Sequence, residues 1–269
     1  YGVIDFYRAA RAEGINPILG CEVYVAPGSR FDREAGSGED RYYHLVLLAE
    51  NNQGYANLMK IVSKGFTEGF YYKPRVDLAV LKEYHEGIIA LSACLAGEVA
   101  RYLQRGMYED AKAAALRYQD IFGKGNFFLE LQDHGIPAQR LVNQELLRMH
   151  EETGIDLVAT NDVHYTRAED ADPHDILLCL QTNKKLADED RMRYEGGQYY
   201  VKSPEEMAES LLRNWRWQWF YENRELLPRK DYDDICRLDD ELPDSLRDQY
   251  KQDILSWQEK IQAVLQKES

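Results

Sequence analysis

Apolar runs of strand length alternate with helix-like segments along most of this chain, and few folds accommodate that rhythm. The strand candidates are Pro17 to Val25, His44 to Ala49, Gly87 to Ser92, Asn126 to Leu131 and Ile155 to Thr160. The helix candidates between and after them are Gln53 to Ser63, Leu95 to Gln104, Tyr108 to Phe122 and Pro137 to Glu152. A strand followed by a helix and another strand reads as a βα unit, so the pattern predicts an α/β fold with a mainly parallel sheet or barrel. A further helix is predicted at the start, where Val3, Phe6, Tyr7 and Ala10 share helical spacing and Gly14 suits the position just past its end. Gly28 to Asp40, rich in Gly, Ser and charge, reads as a solvated loop.

At 269 residues with 44% hydrophobic content, the chain can bury a sizeable core. Its formal net charge of −14 argues against an autonomous nucleic-acid binder, because affinity for phosphates rests on Lys and Arg. Phosphate chemistry on such a chain would need metal ions. Cys21, Cys94, Cys179 and Cys236 are scattered without a CxxC pair, which fits a reducing cytoplasm. No apolar run has the length of a membrane span.

The polar residues fall at telling places on this frame. Cys94, His134 and the pair Asp162/His164 lie just past strand ends, where barrel-like folds collect their chemistry, while Glu22 lies within a strand and His44 opens one. Carboxylate, imidazole and thiol together are the ligand set of zinc, and with less preference for the thiol of manganese or iron. In Thr160-Asn161-Asp162-Val163-His164-Tyr165, the Asp-x-His spacing puts both side chains on one side of an extended segment. Each residue also has a structural reading: Glu22 as a solvated edge carboxylate, His44 as a hydrogen-bonded core histidine, Cys94 as a small apolar filler. His85, His150 and His174 receive no site role.

The segments YGVIDFYRAARAEGINPILGCEVYVAPG, YYHLVLLAENNQGYANLMKIVS, GFYYKPRVD, GIIALSACLAGEVA, FFLELQDHGIPAQ and LVATNDVHYTRAEDADPHDILLCLQTNKKL, in that order, resemble the PHP (polymerase and histidinol phosphatase) domain of bacterial DNA polymerase III alpha subunits. The resemblance runs from Tyr1 to about Glu209 and implies an incomplete PHP-type (β/α)7 barrel over residues 1–209, with residues 210–269 an unassigned, mainly helical tail. It implies a trinuclear centre of divalent metal (Zn, Mn or Fe) with nine ligands, among them Glu22 in GCE, His44 in YYHLV, Cys94 in SACL, and Asp162 and His164 in NDVHY. His134 in QDHG is placed beside that site as a catalytic group, either touching substrate or supporting the ligands. Tyr71 to Arg75 could present an aromatic and basic loop to a nucleotide, or simply pack as a loop.

Such a site hydrolyses phosphoesters, and the resemblance implies a 3′–5′ exonuclease acting on a DNA 3′ end within a cytoplasmic DNA-directed DNA polymerase (a nucleotidyltransferase), alongside other replisome subunits and away from membranes. The family's His-x-His and Asp-His-Gly segments, which carry four ligands, have no counterpart here. The chain is therefore expected to be an N-terminally truncated fragment, without polymerase activity and inactive or weakly metal-binding alone; the alternative is a structural or interaction module. In the tail, Leu246, Tyr250, Ile254, Trp257, Ile261 and Leu265 predict an amphipathic helix, while Trp215, Trp217, Trp219 and Phe220 alternate with Arg216 and Gln218 at a strand-like period and Leu211, Leu212 and Trp215 also fit a helix.

Overall fold

The structure, a computed structural model, describes residues 2–33 and 41–210. The expected features of the tail past Ser210 lie outside the described residues. Two compact units are distinguished: among the described residues the first holds 2–130 and 145–158, and the second 131–144 and 159–210.

In chain order the elements are α1 (Val3–Ala12), β1 (Gly20–Val25), β2 (Tyr43–Ala49), α2 (Asn52–Thr67), β3 (Phe70–Tyr71), β4 (Lys73–Val76), α3 (Leu78–Glu83), β5 (Ile88–Leu91), α4 (Glu98–Gln104), α5 (Tyr108–Phe122), β6 (Phe127–Leu131), α6 (Pro137–Thr153), β7 (Leu157–Ala159) and, after a 3-10 turn, α7 (Ala171–Thr182). The predicted mixed α/β class is the one observed, and all five expected strands form. Helix α1 ends as its sequence requires. Gly14 has φ +72°, its N–H bonds the Arg11 carbonyl, and the Ile15 N–H reaches back to Ala10, which satisfies carbonyls that the helix end would leave open.

The strand order is β3-β4-β1-β2-β5-β6-β7. A mainly parallel sheet was the expectation, and the structure corrects it: β2 is antiparallel to both its neighbours, β1 and β5. Strands β1 and β2 are consecutive and pair directly from Gly20↔Leu48 to Val25↔Tyr43. That is a hairpin-type return. Parallel neighbours arise where helices carry the chain back across the sheet, as α4 and α5 do between β5 and β6. Strand β4 lies parallel to β1, and β3 folds back on β4 as a short antiparallel edge. Among the described residues, β3 and β7 stand at opposite ends of this order and the sheet does not close on itself.

The pleat sorts side chains between two faces. Val23, Val25, Leu45 and Leu47 are buried on one face, over which α2 brings Leu58 and Ile61. Each such side chain contributes roughly 1.5–3 kcal/mol by leaving water. On the other face Ile89, Leu91, Phe128 and Val158 form a cluster with the partly buried Val46 and Leu48 packed against it. That second face also holds Glu22 and His44. Glu22 pairs with Val46 and Tyr24 with His44, so the polar residues continue the apolar rows toward one end of the strands.

Candidate metal centre

In the first unit Glu22, His44 and Cys94 come together, with one ligand atom from each lying within 4.8 Å of the others. The His44 Nδ1 is shared: it sits 3.1 Å from Glu22 Oε1 and 3.6 Å from Cys94 Sγ. Neighbouring ligand atoms around a tetrahedral zinc stand about 3.3–3.6 Å apart, given its usual bond lengths. The donor set and spacing therefore fit a divalent ion. Glu22 and His44 meet because they occupy neighbouring positions on one face of a β hairpin. The antiparallel direction of β2 matters, since it brings the start of that strand, rather than its end, to the place where β1 and β5 finish.

Cys94 arrives by a different route. The chain leaves β5 through Ala93 at φ +64°, a left-handed conformation that L residues rarely adopt. Two bonds fix this turn: the Ala93 N–H donates to the buried Glu130 carboxylate at 2.9 Å, and the Glu130 N–H donates to Ser92 Oγ at 2.8 Å. The following turn then docks on β2, with the His44 N–H donating to the Ala96 carbonyl at 3.0 Å. Gly97 permits the close approach, because a Cβ there would lie 2.1 Å from the Ser92 carbonyl oxygen. This close turn also shortens α4, which begins at Glu98 rather than at the expected Leu95. Glu130, which sequence reasoning did not single out, positions Cys94. Its signal was a lone acid inside the apolar run Phe127-Phe128-Leu129-Glu130-Leu131. Cys21, one residue before Glu22, is a poor nucleophile, since burial and the Glu22 carboxylate push its thiol pKa up.

The second unit holds Asp162, His164 and His134. Asp162 Oδ1 lies 3.4 Å from His164 Nε2, so this pair too presents a carboxylate beside an imidazole. Asp162 has φ +41°, a strained value held from both sides. The Asn161 amide donates to the carbonyls of Gln198 and Tyr200, both at 2.7 Å, and accepts from Lys202 Nζ at 3.0 Å. The His164 N–H donates to the Tyr199 carbonyl at 2.9 Å.

His134 is buried, and both of its ring nitrogens are engaged. Gln139 Nε2 donates to Nδ1 at 2.8 Å, so Nε2 carries the proton and donates to the Asn161 carbonyl at 3.0 Å. Its ring stacks on Tyr199 at 3.8 Å. Burial pushes its pKa below the ordinary histidine value and keeps it neutral. Through these bonds His134 braces the segment leading into Asp162. His174, given no role from sequence, lies beside His164 with ring centroids 5.8 Å apart.

A family profile described as PHP domain matches residues 1–134, a span that includes the Glu22, His44 and Cys94 cluster. Residues 1–134 belong to the PHP domain family. Beyond the PHP match, curated relatives align over a longer stretch. The DNA polymerase III subunit alpha of Treponema pallidum is 46% identical over 209 residues, covering 78% of this chain and 18% of that protein. The proteins of the same name from Deinococcus radiodurans (46%) and Thermus aquaticus (45%) match 78% of this chain and 16% and 17% of their own lengths. The chain thus spans less than a fifth of these relatives. No helix among the described residues is long and apolar enough to cross a membrane.

Proposed function

We propose that this chain is the PHP portion of a cytoplasmic replicative DNA polymerase alpha subunit, and that Glu22, His44 and Cys94 hold a divalent ion for phosphoester hydrolysis at a DNA 3′ end. The observation that carries this reading is the convergence of three chemically different donors within 4.8 Å. A thiol beside a carboxylate–imidazole pair is a mixed donor set of the kind zinc sites use, with manganese and iron preferring the thiol less. When bound, the ion supplies Lewis-acid polarisation of a phosphate ester and activation of water. Glu22 would bring negative charge to balance the ion, and His44 would bind through Nδ1. Cys94 would bind as thiolate, with Ala93 and Glu130 holding it in place. In the second unit we assign Asp162 and His164 metal-ligand roles of the same kind. DNA and the other replisome subunits are the proposed partners.

The test is metal analysis and competitive titration of the purified chain with zinc, manganese and iron. His44→Ala and Cys94→Ala are each expected to weaken binding at least about 10-fold. Binding unchanged in both variants would refute the assignment. Hydrolysis of a simple phosphodiester is measured on the same samples, and metal binding without hydrolysis would make the chain a structural module instead.

A further inference from the structure

An aromatic and basic surface adjoins the Glu22, His44 and Cys94 cluster, and its residues are unused by the chemistry above. Tyr42 lies parallel to the His44 ring, at 5° and 6.1 Å between centroids, and Tyr24 stands edge-on to both, 4.6 Å from Tyr42 and 5.3 Å from His44. Lys73 Nζ lies over the Tyr24 ring at 5.5 Å. Next along β3 and β4, Tyr71 and Tyr72 meet edge to face at 4.7 Å, and the Arg41 guanidinium covers the Tyr72 ring at 4.6 Å. Tyr72 is 64% exposed and has φ +60°, so the backbone holds a large ring out to solvent in a conformation that disfavours it.

This surface stands on a rigid base. Buried Arg75 donates to the carbonyls of Arg30 and Asp32 and lies 5.1 Å from the Tyr71 ring centroid. Arg33 donates to the carbonyls of Phe70 and Glu68 at 2.6 and 3.1 Å, and Arg30 pairs with Asp77 and Glu68. The loop over residues 28–33 and the β3–β4 turn are therefore tied into one piece. Rings for bases and cations for phosphates occur together on it, in a chain whose net charge of −14 makes such a local cluster unusual.

We infer that Tyr24, Tyr42, Tyr71 and Tyr72, with Arg41 and Lys73, form a platform for single-stranded DNA leading to the Glu22, His44 and Cys94 cluster. The inference rests on the proposed phosphoesterase reading and adds how the strand is held. Aromatic faces need unstacked bases, which a duplex does not offer, and the cations contact the backbone without regard to sequence.

The experiment is fluorescence anisotropy of a labelled single-stranded octanucleotide with the 269-residue chain at low salt, in EDTA, with metal titration run separately. Tyr42→Ala and Tyr72→Ala are each expected to weaken binding about 5- to 100-fold, and Tyr72→Phe to restore most of it. Lys73→Glu should lower the dependence of log K on log salt by at least about 0.7 unit, the value of one single-strand phosphate contact. Phe6→Ala, which removes an exposed ring on α1, is the control for indiscriminate stacking. No binding, equal binding by a duplex, or equal losses from Phe6→Ala and Tyr72→Ala would overturn the platform. Failure of the metal reading registers elsewhere, as unchanged metal affinity in Cys94→Ala, so the two failures are distinguishable.

Discussion

Glu22 and His44 in the first unit and Asp162 in the second are positioned by opposite means. Glu22 and His44 stand on paired strands, where the pleat alone places both side chains on one face, at the register Glu22↔Val46 and Tyr24↔His44. Asp162 follows β7 on irregular backbone at φ +41° and is held by the bonds of its neighbour Asn161. A site built on register draws its precision from the whole sheet and depends little on any single side chain. One built on irregular backbone concentrates that dependence in a few polar groups, which must all be satisfied.

The sharpest way to break this contrast is Asn161→Ala. It deletes two donated bonds and one accepted bond at a buried position, those to the carbonyls of Gln198 and Tyr200 and from Lys202. A loss of roughly 2–4 kcal/mol is expected, because a hydrogen bond contributes about 0.5–1.5 kcal/mol net and one from a charged donor about 1.5–3 kcal/mol. Urea unfolding measures it, and faster amide exchange over residues 196–203 locates it. A loss below about 1 kcal/mol would mean that the backbone alone holds Asp162.

A smaller effect is expected from pH through His134. Its folded pKa is depressed by burial, so the unfolded chain binds more protons in the range below the ordinary histidine value of about 6.5. Stability from this group is complete above that value. It is lost as pH falls toward the folded pKa. Urea midpoints measured at pH 7.5 and 5.5 should fall with acidity, and His134→Gln, which cannot titrate, should flatten part of that slope. An unchanged slope would show that His134 becomes protonated in place.

These contrasts bear on what the sequence could reveal. Strands rich in Val, Leu and Ile were legible because burial on one or both faces imposes their apolar pattern, and α5 matches its expected range of Tyr108 to Phe122. Strand β4 was not, since Lys73-Pro74-Arg75-Val76 carries charge and a proline and becomes a strand only by pairing with β1 and β3. The direction of β2 was equally hidden, because hydrophobic periodicity is the same for parallel and antiparallel neighbours. Glu22, His44, Cys94 and Asp162 were nameable as candidate ligand types, and the residues that position Cys94 and Asp162 were less so. Glu130 acts on Ala93 across 37 positions. His134 acts on Asn161 across 27. Such partners have no local signature.

The strand-borne carboxylate should matter least to folding. Glu22→Gln keeps size and shape, and at 37% side-chain exposure the carboxylate loses little solvation that the fold had to replace. Its contact with His44 is a half-exposed pair, of a kind worth about 0–1 kcal/mol. Strand register does not depend on it, because Val23 and Val25 on the opposite face fix β1 by burial. The variant should therefore unfold within about 0.5 kcal/mol of the parent while losing metal affinity, since a neutral amide replaces the proposed anionic ligand. Unfolding and metal titration on one preparation separate the two quantities. A Glu22→Gln variant as unstable as Asn161→Ala would show that the strand-borne site also leans on its own side chains, and the distinction between the two modes of positioning would fail.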